Sequence, residues 1–126
     1  MKKILIVTPN VSPIPDVDGG ATENLITILL EENEKYKKNK FYICSKYTNE
    51  ALNESHKFNS TGFFYYKKRS QLNIYEFLTR IFLIIKKILC YKKYTISNYH
   101  FWALDIAKKI NPDYIIASGG IYENLE

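Results

Sequence analysis

Short apolar runs closed by turn residues alternate along this chain with longer stretches in which apolar side chains recur every three or four positions. A strand buried on both faces reads as a continuous apolar run, and an amphipathic helix reads as a 3.6-residue period. The alternation therefore predicts crossover units feeding a parallel sheet, in the order β-α-β-(α)-β-α-α-β. Lys3 to Thr8 reads as the first strand. The first helix is expected from about Gly20 to Tyr36, with Leu25, Ile28 and Leu29 facing inward and Ile26 and Leu30 widening the stripe. Phe41 to Tyr47 and Gly62 to Tyr66 read as strands two and three, and the poorly patterned link between them leaves room for a short helix over Asn49 to Ser55. Asn73 to Cys90 has the clearest helical period. At 100° per residue Ile74, Phe77, Leu78, Ile81, Phe82, Ile84, Ile85, Ile88 and Leu89 fill one half of the wheel, while Arg80, Lys86 and Lys87 fall on the other, where Leu83 is the one apolar intruder. A further helix is expected over Asn98 to Ile110, capped by Ser97 or Asn98, with Tyr99, Ala103, Ile106, Ala107 and Ile110 inward. Asn111-Pro112 ends it, Asp113 to Ala117 forms strand four, and Ser118-Gly119-Gly120 breaks into a loop.

The 126 residues, 46% hydrophobic and 25% charged, suit one globular domain and are too few for two. Cys44 and Cys90 each sit in an apolar run without metal-ligand spacing, so both are expected to be reduced core thiols, as in a cytoplasmic protein, and no metal or cofactor is expected. Only Ile4 to Val7 separates Met1-Lys2-Lys3 from Thr8-Pro9, short of the apolar run of about 7 to 15 residues in a secretory signal. The longest aliphatic and aromatic stretch, Ile81 to Ile85, is far below the roughly 20 residues of a membrane span. The net charge of +5 allows weak attraction to anionic partners without naming one. Phe63 to Tyr66 beside Lys67-Lys68-Arg69 reads as a strand with a charged end, and with no RNA-binding signature nearby nucleic acid is not expected as a partner.

Right-handed crossovers would order the first three strands 3-2-1, and the long two-helix crossover would carry strand four to the free side of strand one. The fold class expected is thus α/β, a Rossmann-like doubly wound parallel sheet in the order 3-2-1-4. Ligands of such sheets bind outside the carboxyl ends of the strands where the winding reverses, here between strands one and four. Gly19-Gly20 follows strand one and Gly119-Gly120 follows strand four. Two readings of each pair stand side by side: glycines that merely make turns, or glycines that let a ligand approach backbone at a helix N-terminus. Both pairs falling at one crevice favours the second. The long Pro9 to Gly20 loop lacks G-x-G-x-x-G, which disfavours NAD or FAD, and no Walker A lysine, receiver-type acidic cluster or G-x-S-x-G elbow occurs.

The run Thr8-Pro9-Asn10, Pro13-Ile14-Pro15 and Gly19-Gly20-Ala21-Thr22-Glu23 before an amphipathic helix, with the later Asn111-Pro112-Asp113-Tyr114-Ile115-Ile116, resembles the N-terminal domain of GT-B glycosyltransferases of family 4. The distinctive regions cover about a quarter of the chain. The resemblance implies the acceptor-side half of a two-domain enzyme. Such an enzyme moves a sugar from a nucleotide-sugar donor to a saccharide or lipid-linked acceptor in surface polysaccharide synthesis. The donor-binding half would lie beyond these residues and the fragment would be inactive alone. Carried over by motif, Gly19 and Gly20 would approach the donor phosphates or the transferred sugar, and Ala21 and Thr22 would offer backbone N–H groups. Asn10 and Asp16 would meet acceptor hydroxyls, as would Asp18 unless it caps the helix. Ser118 and Gly119 would line the opposite wall. No catalytic residue transfers. Relatives place histidines after the Pro-Asp strand where this chain has Ile116, Ala117 and Ser118, while His56 and His100 read as surface or partly packed side chains.

The basic helix has two readings. A helix packed from two sides also presents an arc this wide, so an ordinary core helix with a solvated cationic back is preferred. The other reading lays it on an anionic membrane or a protein partner, with Arg80, Lys86 and Lys87 on the contact surface, at the inner face of the plasma membrane. In that case the chain would be a non-catalytic Rossmann-like assembly module. Strand four would be an apolar edge if the chain ended at Glu126, so a missing C-terminal domain or a self-association partner is expected to cover it.

Overall fold

The computed structural model describes residues 1–67 and 98–117, together with Leu78, Ile81, Phe82, Ile84 and Ile85, which are helical. The elements are β1 (Lys2–Val7), α1 (Ala21–Tyr36), β2 (Asn39–Lys46), α2 (Asn49–Ser55), β3 (Thr61–Tyr66), α3 (Asn98–Ile110) and β4 (Tyr114–Ala117). They form an all-parallel sheet in the order β3-β2-β1-β4. This is the α/β arrangement that the crossover argument requires. The remaining positions of the expected 73–90 helix, its Arg80, Lys86 and Lys87, the Ser97 cap, Cys90, and Ser118 and Gly119 lie outside the described residues.

The central strand β1 is apolar at successive positions because it is covered on both sides. Leu5 and Val7 pack with Cys44 beneath Tyr99, Ala103 and Ile106 of α3. Ile6 packs on the opposite face with Phe41, Ile43, Ile14 and the α1 residues Ile26 and Leu30. The expected inward set of α3 holds, with Tyr99, Ala103 and Ile106 buried and Ala107 and Ile110 packed beside them. Its end is set by Asn111 at φ 49°, whose N–H donates to the Ala107 carbonyl at 2.9 Å. The short α2 also forms, with Thr48 as N-cap accepting the Ala51 N–H at 3.1 Å.

Helix α1 is rotated relative to its sequence expectation. Ile26, Leu30 and Asn33 are buried, whereas Leu25, Ile28 and Leu29 are exposed, Leu25 by 68%. The cause is Asn33. Its Nδ2 donates to the Asn39 carbonyl at 2.8 Å and to Ser60 Oγ at 3.3 Å, and its Oδ1 accepts the Asn39 N–H at 3.1 Å. An amide so fully bonded is retained in the buried stripe, and hydropathy alone does not count it.

Among the described residues strand β4 is paired only to β1, with Ile4, Leu5, Ile6 and Val7 opposite Tyr114, Ile115, Ile116 and Ala117. Its side chains are exposed on both faces of the sheet.

Candidate functional site at the carboxyl end of the sheet

Val7 and Ala117 are register partners, so β1 and β4 finish side by side at the carboxyl edge. Chain leaving β1 passes first through Thr8, fully buried and tied to the end of β2. Its N–H and Oγ1 both donate to the Cys44 carbonyl, at 3.1 and 3.0 Å. The Tyr99 hydroxyl reaches in from α3 to the Thr8 carbonyl at 2.6 Å and the Cys44 carbonyl at 2.9 Å. Three elements separated widely in sequence therefore fix the exit of β1.

The loop that follows is anchored by buried side chains and hydrogen bonds. Pro13 and Ile14 are fully buried, and Ile14-Pro15 is a cis peptide. Both backbone polar groups of Ile14 are taken by side chains: its N–H donates to Ser45 Oγ at 2.8 Å, and its carbonyl accepts the Tyr65 hydroxyl at 2.7 Å. The same Tyr65 hydroxyl lies 3.1 Å from the Ala51 carbonyl of α2. Burial pushes the Tyr65 phenol up to about 12, although a hydrogen bond with Ser55 pulls the other way, so it stays protonated as a donor. The Asp16 N–H donates to Thr27 Oγ1 at 2.9 Å, which ties the loop to α1.

Asp16 organises the approach to the helix. Its Oδ1 accepts the N–H groups of Asp18, Gly19 and Gly20 at 3.2, 2.8 and 3.2 Å. Gly20 is the N-cap and makes no side-chain cap bond, so Asp18 does not cap α1. Asp18 lies two residues before the cap, and its own N–H is drawn to Asp16. The spacing of Asp16, Asp18 and Gly19 is an Asx-type turn signature, which was the available sequence signal. Gly19 adopts φ +82°, a conformation that favours glycine, while Gly20 sits where a Cβ would meet the Glu23 Oε2 atom. Two carboxylates, Asp16 and Glu23, thus gather at the start of α1 and already answer its positive dipole end.

Of the sequence candidates, Asn10, Gly19, Ala21 and Thr22 are exposed around this loop, and Asp16 and Gly20 are half-buried. Serine 45 and Tyr65 belong to the same structure, through contacts spanning 31 and 51 residues that no local pattern reveals. His56 is exposed and lies after α2, away from the loop in sequence. His100 is half-buried on α3, where burial lowers its pKa. The Cys44 thiol is fully buried and free, and burial pushes it up to about 12, so it is an inert core group. Among the described residues no group of three or more His, Cys, Asp or Glu could hold a metal ion, and no helix is long and apolar enough to cross a membrane. Comparison with protein-family models, with curated proteins and with solved structures returns no match.

Proposed function

We propose that this chain is the acceptor-side domain of a GT-B type glycosyltransferase, working on the cytoplasmic side with a nucleotide-sugar donor and a saccharide or lipid-linked acceptor. The observation that carries the reading is the rigid Pro9–Gly20 loop at the carboxyl end of β1, beside the end of β4, at the point where the winding reverses. A loop whose buried turn is fixed by Ser45 and Tyr65 can hold its exposed tip in one geometry, as recognition of a flexible sugar demands. The acidic character of the tip favours hydroxyl donors over phosphate. Asp16 retains a second carboxylate oxygen, Glu23 lies beside Gly20, and Asn10 adds an amide, a set that accepts hydrogen bonds from sugar hydroxyls. In this reading Gly19, Gly20, Ala21 and Thr22 form the floor on which the transferred sugar meets its acceptor. The donor phosphates fall to the other domain.

The test is a titration of the ¹⁵N-labelled chain with UDP-glucose and with a panel of neutral oligosaccharides. Saturable amide shifts centred on Asn10, Gly19, Gly20 and Thr22 for at least one oligosaccharide are expected. Saturable shifts confined to other regions, or none at any sugar concentration, would sink the reading.

A further inference from the structure

Leu78, Ile81, Phe82 and Ile85 follow the i, i+3, i+4, i+7 spacing of a single helix stripe, with Ile84 beside it. All five are helical, and each is between 39% and 57% exposed. None of these five side chains is buried as a core position would be. The sequence around them is equally unusual in charge. Residues 67–93 hold eight of the eighteen Lys and Arg side chains and one acid, Glu76, whereas the rest of the chain has ten bases against twelve acids. The whole positive excess of the protein therefore resides in the segment that also displays its apolar stripe.

Exposed apolar stripe and concentrated positive charge together fit one kind of surface. An interfacial helix buries its apolar face roughly 5–10 Å into the boundary between headgroups and acyl chains, and cations alongside it are drawn to anionic headgroups. A protein groove supplies localised carboxylates at fixed points. Cations distributed through the sequence from Lys67 to Lys93 match the diffuse charge of a bilayer instead. Lys67, exposed and poised over the Tyr47 ring at 4.8 Å, marks where this charged segment leaves the sheet. We propose that the exposed stripe of Leu78, Ile81, Phe82 and Ile85, carried within this basic stretch of the sequence, is a peripheral docking surface that rests on an anionic lipid membrane. The proposal stands independently of sugar transfer.

The experiment is co-flotation of the full chain with phosphatidylcholine vesicles and with the same vesicles containing phosphatidylglycerol, at low and high salt. Binding to the anionic vesicles that falls at high salt is expected. Lys86→Gln with Lys87→Gln should weaken it about fivefold per charge, some 25-fold together, and Phe82→Glu should abolish it. Thermal unfolding of each variant checks folding. Should Phe82→Glu fail to fold, the charge pair decides alone, because Lys86→Gln with Lys87→Gln leaves the apolar stripe intact. Absence of flotation with anionic vesicles, equal flotation of wild type and folded variants, or capture by polyglutamate beads without lipid binding would each overturn the proposal.

Discussion

Asp113 and Lys3, at opposite ends of the described chain, exchange two hydrogen bonds. The Lys3 N–H donates to Asp113 Oδ2 at 2.8 Å, and the Asp113 N–H donates to the Lys3 carbonyl at 2.8 Å. The Pro112-Asp113 pair thus has a structural task that its place in the sequence does not disclose: it starts β4 in register with β1. Asp113→Ala removes the carboxylate acceptor and is expected to cost about 1 kcal/mol. Asp113→Asn, which keeps an acceptor oxygen, should recover part of that loss in urea denaturation.

The glycine pair should split under substitution. Gly19 has open space around its missing side chain but a φ of +82°, so Gly19→Ala is expected to destabilise by about 1–2 kcal/mol through backbone strain alone. Gly20 has φ −71°, ordinary for any residue, and what a Cβ meets there is the movable end of Glu23. Gly20→Ala should leave the thermal midpoint nearly unchanged.

Ser45→Ala strands the buried Ile14 N–H, and Tyr65→Phe removes the donor to the Ile14 carbonyl. Each is expected to cost about 1–3 kcal/mol. Because both act on one residue, the double variant should lose less than the sum, which a double-mutant cycle in urea measures.

Acid should weaken the fold in two windows. Burial lowers the His100 pKa below 6.5, so the unfolded chain protonates first and stability falls as pH drops through 6.5 toward the folded value. His100→Gln should flatten that slope. Burial works to raise the Glu34 pKa, but hydrogen bonds from the Ser60 hydroxyl and N–H, with further help from Asn59 and Lys37, bring it below 4.5. Its contribution is present above pH 4.5 and disappears as pH falls through the lower folded value, and Glu34→Gln should remove this second slope.

The sheet was legible because its strands announce themselves. Ile4 to Val7 and Tyr114 to Ile116 are apolar without interruption, and handed crossovers leave one sensible order for them. The orientation of α1 was not legible. Periodicity weighs Leu25, Ile28 and Leu29 as core residues, whereas the bonds Asn33 makes to Asn39 and Ser60 turn the helix the other way. At the loop, glycines and acids could be picked out by eye, but the anchor at Ile14 depends on Ser45 and Tyr65, which meet it only after β2 and β3 have paired.

The isolation of β4 has a dynamic consequence. Among the described residues it has one neighbouring strand, four residues of ladder and exposed side chains throughout, the least holding of any strand in the sheet. Amide protons there should trade with solvent by brief detachment of the strand, well before β1 or β2 opens. The hook from Asp113 to Lys3 then acts as a hinge pin, deciding how often the carboxyl edge loses its fourth member.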